Sequence, residues 1–496
     1  MHFSRQIILR CVGISLFLSL NTLTGAQEMW GITTSNFAGS NGVLINPTAI
    51  ITSKLYLDIN LGTADFFFDN NYAYIHKEDR SLFDYLKRNP QFPSYGEDDM
   101  PFDHYRGKNK KMVYSSQLLK GPSFMLARGR HAIALHTGVR ALSSGFRLPY
   151  HILNFGYYGL DYTTQHNIEY NDANATAASL VTGEIGITYA YAFRKLGMED
   201  WSAGITVKRY FSLAGGYMSA GNMNYIMVND STINIKNLDA EFGYSFPMNY
   251  DNNDFPYVPW IKGGGFSADI GVTFQSKLLS YQKKRITRLC SQRYVDYIYK
   301  VGISVIDLGY VNFTNNAQLH TYDNVSRYWI NVDTLSYDNL NQIMGVFSQV
   351  FYNDPGESLK DDNIRVYLPT AISIQGDYKI YRNWYAGGVF IYPVRLGKAY
   401  IHRPTQITVV PRYETPLLEF ALPVSLYEWR YPRAGFSVRY QFLTVGTDDI
   451  AGLFGLSDFT GLDFYVSVKV NFRKGQCGRA RRFVPCENFE YGIRKR

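Results

Sequence analysis

Alternation is the pattern that recurs along this chain. In Gly461–Phe472, Leu462, Phe464, Val466, Val468, Val470 and Phe472 fall on one side, and Asp463, Tyr465, Ser467, Lys469 and Asn471 on the other. Strand side chains alternate with period two, so the stretch has one apolar and one largely polar face over about eleven residues. That length suits a tilted strand crossing a bilayer, and it equally suits a strand of a soluble sandwich. The last strand alone leaves both open.

The same alternation occurs at Lys54–Leu61, where Leu55, Leu57, Ile59 and Leu61 oppose Lys54, Tyr56, Asp58 and Asn60. It returns where Ile133, Leu135 and Val139 oppose Ala134, His136, Gly138 and Arg140. Further strands are predicted at Glu184–Arg194, Trp201–Phe211, Tyr217–Val228, Phe266–Gln275, Val366–Tyr381, Trp384–Tyr392, Gln406–Tyr413, Leu417–Leu426 and Gly435–Phe442. The expected total is about fourteen, within a range of about twelve to sixteen. Gln27–Ile50, rich in Gly, Asn and Ser, does not alternate, so the strand series is expected from residue 51 onward. His76–Lys111 reads as a charged outer loop with a helical piece at Ser81–Arg88, and Asn249–Trp260 as a polar loop. Helix-like spacing appears at Tyr281–Lys300 and more clearly at Asp338–Phe351, where Leu340, Ile343, Met344, Phe347, Val350 and Phe351 share a face. Both pieces are expected in a long outer loop or folded into the mouth.

Composition separates the two readings of the strands. The 496 residues include 41 Tyr, 32 Phe and 6 Trp, while charged residues make up only 19%. That balance favours strands and membrane interfaces. Met1–Ala26 has the form of a secretory signal: Arg5 and Arg10, an apolar run over Val12–Leu20, and Thr24-Gly25-Ala26 as a cleavage site. No later run approaches eighteen apolar residues, and a closed barrel is then the way for an exported, aromatic-rich chain to live in a membrane. The net charge of +8 is concentrated at the ends: two positive charges in the signal and a net six after Phe472. A neutral body gives no support to nucleic-acid binding.

Asn36-Phe37-Ala38-Gly39 running into Asn46-Pro47, then an alternating strand and Asn70-Asn71-Tyr72, resembles an uncharacterised Bacteroidetes family of outer-membrane β-barrels. Gly446-Thr447-Asp448-Asp449-Ile450, shortly before the last strand, fits the same pattern. That family is distantly similar to long-chain fatty-acid transporter barrels and to barrel components of type IX secretion. The resemblance implies an amino-terminal plug, here residues 27–50, and passive movement of a small or amphipathic solute. Phe472, ending the closing strand, resembles the carboxy-terminal signal read by the barrel-assembly machinery.

With the apolar faces toward lipid, the lumen is expected to be lined by Lys54, Asp58, His136, Arg140, Glu184, Lys208, Asp269, Asp377, Arg439, Asp463 and Lys469. Two roles are open to them, pairing that holds a narrow barrel closed and a path for solute. Catalysis is not expected, since serines and histidines occur without a Gly-x-Ser-x-Gly motif, and no phosphate loop or His-Glu-x-x-His site is present. Asp251-Asn252-Asn253-Asp254 lacks the Gly and distal Glu of a calcium loop. No cofactor or metal is expected. Cys477 and Cys486 could close a disulfide in the tail, with Cys290 left as a free thiol.

The reading is thus all-β: a transmembrane antiparallel barrel over residues 51–472, a signal peptide at 1–26, a plug at 27–50 and a basic periplasmic tail at 473–496. Its expected location is the outer membrane, its expected partners membrane lipid, the assembly machinery and a periplasmic or surface-lipoprotein protein. The competing role is a closed barrel serving as scaffold in a secretion or surface-lipoprotein complex.

Overall fold

Alternating segments pair in sequence order until the last meets the first. In the computed structural model, Leu57 lies opposite Phe472 and Asp69 opposite Gly461, which closes one antiparallel sheet. The structure describes residues 29–79, 93–95, 100–107, 109–196, 199–277, 286–287, 293–294, 296–334 and 337–472. The expected signal peptide, the helical piece at Ser81–Arg88, the tail and Cys290, Cys477 and Cys486 lie outside them.

Fourteen strands form the wall. They are β1 (Leu57–Asn70), β2 (Lys111–Lys120 continued by Ser123–Arg128), β3 (His131–Leu148), β4 (Glu169–Leu196) and β5 (Glu199–Asn229). Then come β6 (Thr232–Ser245 and Gly263–Lys277), β7 (Tyr297–Phe313 and Ala317–Ile330) and β8 (Ile364–Tyr367 and Ala371–Tyr381). The circuit ends with β9 (Trp384–Pro393), β10 (Gln406–Glu414), β11 (Leu418–Ala421 and Val424–Tyr427), β12 (Pro432–Ala434 and Phe436–Tyr440), β13 (Leu443–Thr447) and β14 (Gly461–Phe472). Across the apolar band each strand is paired on both sides, which a bilayer requires of any strand structure.

The outer face is apolar. Ile133, Leu135, Ile187, Val207, Phe266, Ile303, Val409 and Phe464 are all exposed, Ile187 by 62% and Phe266 by 61%. Aromatic rings border this band. Trp201, Phe274 and Tyr299 touch along one end, with ring centroids 4.9 and 5.9 Å apart. At the other end Tyr310 meets Tyr367 at 6.0 Å, and Arg209 lies 4.5 Å from the Phe266 ring. Tyr299 and Tyr310 are eleven residues apart on β7. At a strand rise of about 3.3 Å and a tilt near 45° the band is roughly 25 Å tall, the hydrocarbon thickness of a barrel-bearing membrane.

Bulges change which positions face in. Between Asn60 and Gly62 of β1 the register shifts, so Asp58 and Asn60 are buried on even numbers while Thr63, Asp65, Phe67 and Asp69 are buried on odd ones. β5 runs through 31 residues where two strands are expected, and its upper half pairs beyond the apolar band with the first part of β6. The helix expected near 338–351 is α1, Leu340–Tyr352, started by Asn339, whose side chain accepts from the Gln342 N–H. It lies against the outer face of the extended wall, with Phe347 5.3 Å from Trp329 and Phe351 5.4 Å from Tyr322. The helical expectation at 281–300 fails where it can be read. Ile286 pairs with Tyr294 in an antiparallel hairpin, and β7 has begun by Tyr297.

Candidate functional site

Residues 29–55 precede the wall, which the chain enters at Tyr56, whose N–H donates to the Phe472 carbonyl at 3.3 Å. Met29–Ser53 lies within the lumen as short helical turns, Trp30–Thr33, Gly39–Leu44 and Ala49–Thr52, and nearly every residue of it is buried. Such a segment leaves many backbone N–H and C=O groups without partners of its own, and these must be met by the surroundings.

The inward polar side chains of the wall meet them. Lys469 Nζ donates to the carbonyls of Phe37 and Ala38 at 2.5 and 2.9 Å, and Lys120 Nζ to that of Ser40 at 2.6 Å. Asp58 accepts from Ser40 N and Oγ at 2.8 and 2.9 Å. Gly39 permits this approach: its φ is +59°, and a Cβ there would stand 2.2 Å from the Asp58 carboxylate. Trp30 N donates to Asp448 at 3.2 Å, and Asp463 in turn accepts from Asp448 N at 2.8 Å. Arg439 is paired with Glu419 at 2.9 Å, and Glu419 also accepts from Ser35 Oγ at 2.8 Å.

Two larger charged networks stand beside the segment. In the first, Glu414 takes Lys54 at 3.0 Å, Arg412 at 2.6 Å and Asn36 Nδ2 at 3.0 Å. Arg412 also pairs with Asp377, which accepts from Tyr297 OH at 2.7 Å and faces Lys300 at 3.4 Å. The second centres on Asp307. Lys208 reaches it at 2.7 Å, Arg140 at 3.1 Å and Arg403 at 3.6 Å, while Lys208 also holds Asp269 at 2.8 Å. Glu184 lies 3.7 Å from Arg140 and 4.0 Å from His136. Arg403 arrives from the outer side, on the inward-dipping segment 394–405. Buried charges persist when paired and hydrogen-bonded, and Glu414, Asp377 and Asp307 each gather several partners.

All eleven residues expected in the lumen are buried. The structure gathers Lys54 with Asp377, and His136, Arg140, Glu184, Lys208 and Asp269 around Asp307. Asp58, Asp463 and Lys469 hold the amino-terminal segment or its neighbours, and Arg439 sits with Glu419. Sequence reasoning passed over Arg412 and Glu414, although they follow the alternation of β10, where Ile407 and Val409 face out. It also passed over Asp307 and Arg403, for which alternation carries no signal. Asp307 sits at a bulge and Arg403 on a loop.

Above these networks the inner face turns apolar, with Leu142, Leu180, Tyr217, Val311, Phe313 and Ile364 packed together. A cavity of about 60 Å³ remains between the amino-terminal segment and the wall, lined in part by Asn36, Asn46, Thr48, Thr273 and Asp377. A Ser–His contact, His320 Nδ1 to Ser358 Oγ at 2.9 Å, is buried on the outer side of the extended wall. The other ring nitrogen faces Gln318 and Tyr244 at 3.3 and 3.5 Å, an amide and a phenol where an activating carboxylate would be needed. Among the described residues no group of three His, Cys, Asp or Glu is placed to hold a metal ion.

A closed antiparallel wall, apolar outside and charged within, defines a transmembrane β-barrel of the outer-membrane type. The chain belongs to the family of unknown function DUF5723, whose profile matches residues 47–448. No curated protein matches it. Among solved structures it is similar to the TodX deltaS2S3 mutant monoaromatic hydrocarbon channel, at 9% identity and a TM-score of 0.42, over 91% of this chain and 100% of that one. It is also similar to the Pseudomonas putida toluene transporter TodX, at 10% identity and a TM-score of 0.32, over 91% and 99%. A Pseudomonas aeruginosa FadL homologue gives 10% identity and a TM-score of 0.23 over the same shares. Likeness at these values carries no argument about function.

Proposed function

We propose that this protein resides in the outer membrane and moves a small or amphipathic solute passively through its lumen, with Met29–Ser53 as the plug that opens and closes the path. The observation that carries the reading is how the segment is held. Its backbone is met by side-chain donors and acceptors of the wall, partners that water can replace, and a cavity separates part of it from the strands. The apolar inner face above the charged networks supplies contacts for the hydrocarbon part of an amphipathic solute.

A reversible lock tests this. Thr48 of the segment and Thr273 of β6 have their hydroxyl oxygens 2.5 Å apart. The double variant Thr48→Cys, Thr273→Cys, made with Cys290, Cys477 and Cys486 replaced by serine, places two sulfurs within bonding reach. In planar bilayers or swelling liposomes the reduced protein is expected to pass solute and the oxidised protein to pass much less, with reductant restoring the flux. Equal silence in reduced, oxidised and unmodified proteins would remove the transport reading and leave a closed barrel.

A further inference from the structure

The wall carries one lateral excursion that neither closure nor the lumen explains. Strand β6 is interrupted at Ser245 and resumes at Gly263, and residues 246–262 leave the barrel between them. They leave on the outer side. On the inner side at this height Phe313, Ala317 and Ile364 are packed together, and a Cβ on Gly215 would strike the Phe313 ring at 2.3 Å. The root of the loop instead packs Tyr250 and Phe246 beside Tyr244, with Met344 of α1. Its polar half is tied to the same helix: Asn341 Nδ2 donates to Asp251 and Asn253 Nδ2 to the Asp338 carbonyl.

The other half is apolar and uncovered. Phe255, Tyr257, Val258, Trp260 and Ile261 are 59, 41, 67, 52 and 47% exposed. The piece is internally built. Phe255 and Trp260 meet edge to face at 5.9 Å, Tyr257 N donates to the Pro247 carbonyl at 2.9 Å, and Lys262 Nζ donates to the Tyr257 carbonyl at 3.0 Å. A contiguous apolar surface of this kind on a rigid loop marks a contact site.

Its height identifies the contact. The loop rejoins the wall at Lys262, whose N–H donates to the Ser212 carbonyl, four residues above Phe266. Phe266 pairs with Tyr310 in the upper ring border, so the loop stands roughly 10 Å above the edge of the apolar band, at headgroup level. Arg209 and Arg365 flank it, each over an aromatic ring at 4.5 and 4.2 Å, with charge suited to lipid phosphates. The geometry points to Phe255–Ile261 as an interfacial anchor that inserts its aromatic and aliphatic side chains among the lipids of the outer leaflet, fixing the extended wall and α1 against the membrane surface. The exposed Ile261 stands five residues along the chain from the exposed Phe266 of the lipid-facing band. The inference rests on membrane residence and on nothing about transport.

Nitroxide labels test it in the full chain, with Cys290, Cys477 and Cys486 replaced by serine, reconstituted into vesicles containing anionic lipid. Labels are placed at Val258→Cys on the anchor, Ile303→Cys in the apolar band and Asn252→Cys on the polar half of the loop. The reading is relative accessibility to oxygen and to a water-soluble nickel chelate. The expected result is a Val258 label several-fold less accessible to nickel than the Asn252 label and close to the Ile303 label. A Val258 label as nickel-accessible as Asn252, with Ile303 in lipid, would overturn the anchor. So would spin–spin broadening at Val258 that vanishes on dilution with unlabelled protein, which would make a second copy the occupant. Nickel access at Ile303 itself would overturn membrane residence and the anchor with it.

Discussion

Asp307 owes its position to one extra residue. On β7 the exposed residues are Tyr299, Val301 and Ile303, and then Leu308 and Tyr310, so the outward face passes from odd to even numbers. The change falls at Asp307, whose φ is +53°, where the pairing steps from Ala268–Leu308 to Ile270–Val305. The bulge turns its carboxylate inward to three cations. Asp307→Asn leaves Arg140, Lys208 and Arg403 short of their shared partner and is expected to cost about 3 kcal/mol, the usual penalty for removing one side of a buried pair. A lowered urea or heat midpoint of the folded barrel would show it, while Asp254→Asn on the exposed loop should leave the midpoint within about 0.5 kcal/mol.

At the outer end, His104 is buried among tyrosines. It stacks on Tyr72 at 5.2 Å, meets Tyr157 and Tyr158 at 4.7 and 5.3 Å, and its Nε2 lies 2.9 Å from Tyr158 OH. Burial holds its imidazole below the ordinary 6.5, against a weaker upward pull from Asp103. The unfolded cluster therefore binds more protons than the folded one, so its stability is full above about pH 6.5 and falls as pH drops below that value. Protease cutting in the outer loops is expected to rise between pH 7.5 and 5.5, and His104→Phe should flatten that rise.

At the scale of elements, alternation was a sound guide to strands with one lipid face and one lumen face. β14 is the clearest: Asp463, Tyr465, Ser467 and Lys469 are buried while Phe464, Val470 and Phe472 are exposed. Lipid contact on the outer face makes a charge there costly. Val466→Arg is expected to destabilise the barrel by about 2–4 kcal/mol in vesicles, read as a loss of urea resistance, while the inward Ser467→Ala should cost far less. Where alternation misled, another geometry supplied the spacing. The basic and apolar recurrence at 281–300 includes a hairpin pairing Thr287 with Arg293, and its last residues are already strand. The upper half of β5 was legible as a strand, and its continuity with the lower half was not. The sequence predicts separate strands ending at Phe211 and starting at Tyr217, yet the structure pairs Gly215 and Gly216, which lie between them, directly with Leu180 and Ser179 of β4.

At the scale of the molecule, two segments outside the strands reach inward: Met29–Ser53, held by Lys120 and Lys469, and the segment bearing Arg403, which pairs with Asp307. The predicted flux through the reduced Thr48–Thr273 variant belongs here, because the transport proposal rests on movement of the amino-terminal segment as a whole. The apolar exterior and the loop Phe255–Ile261 fix the same molecule against lipid, and the label at Val258 reads that relation.

By itself the sequence determined which face of most strands is greasy, because period-two alternation is local and needs only neighbours two residues apart. It also determined about how many strands there are and that charges of both signs lie opposite the greasy face. Only the tertiary structure decided what those charges do. A bulge that reverses parity, a loop that folds inward and a segment whose backbone needs partners are set by contacts across hundreds of residues, such as Asn36 with Glu414 and Lys469 with Phe37. No spacing within a strand can encode them.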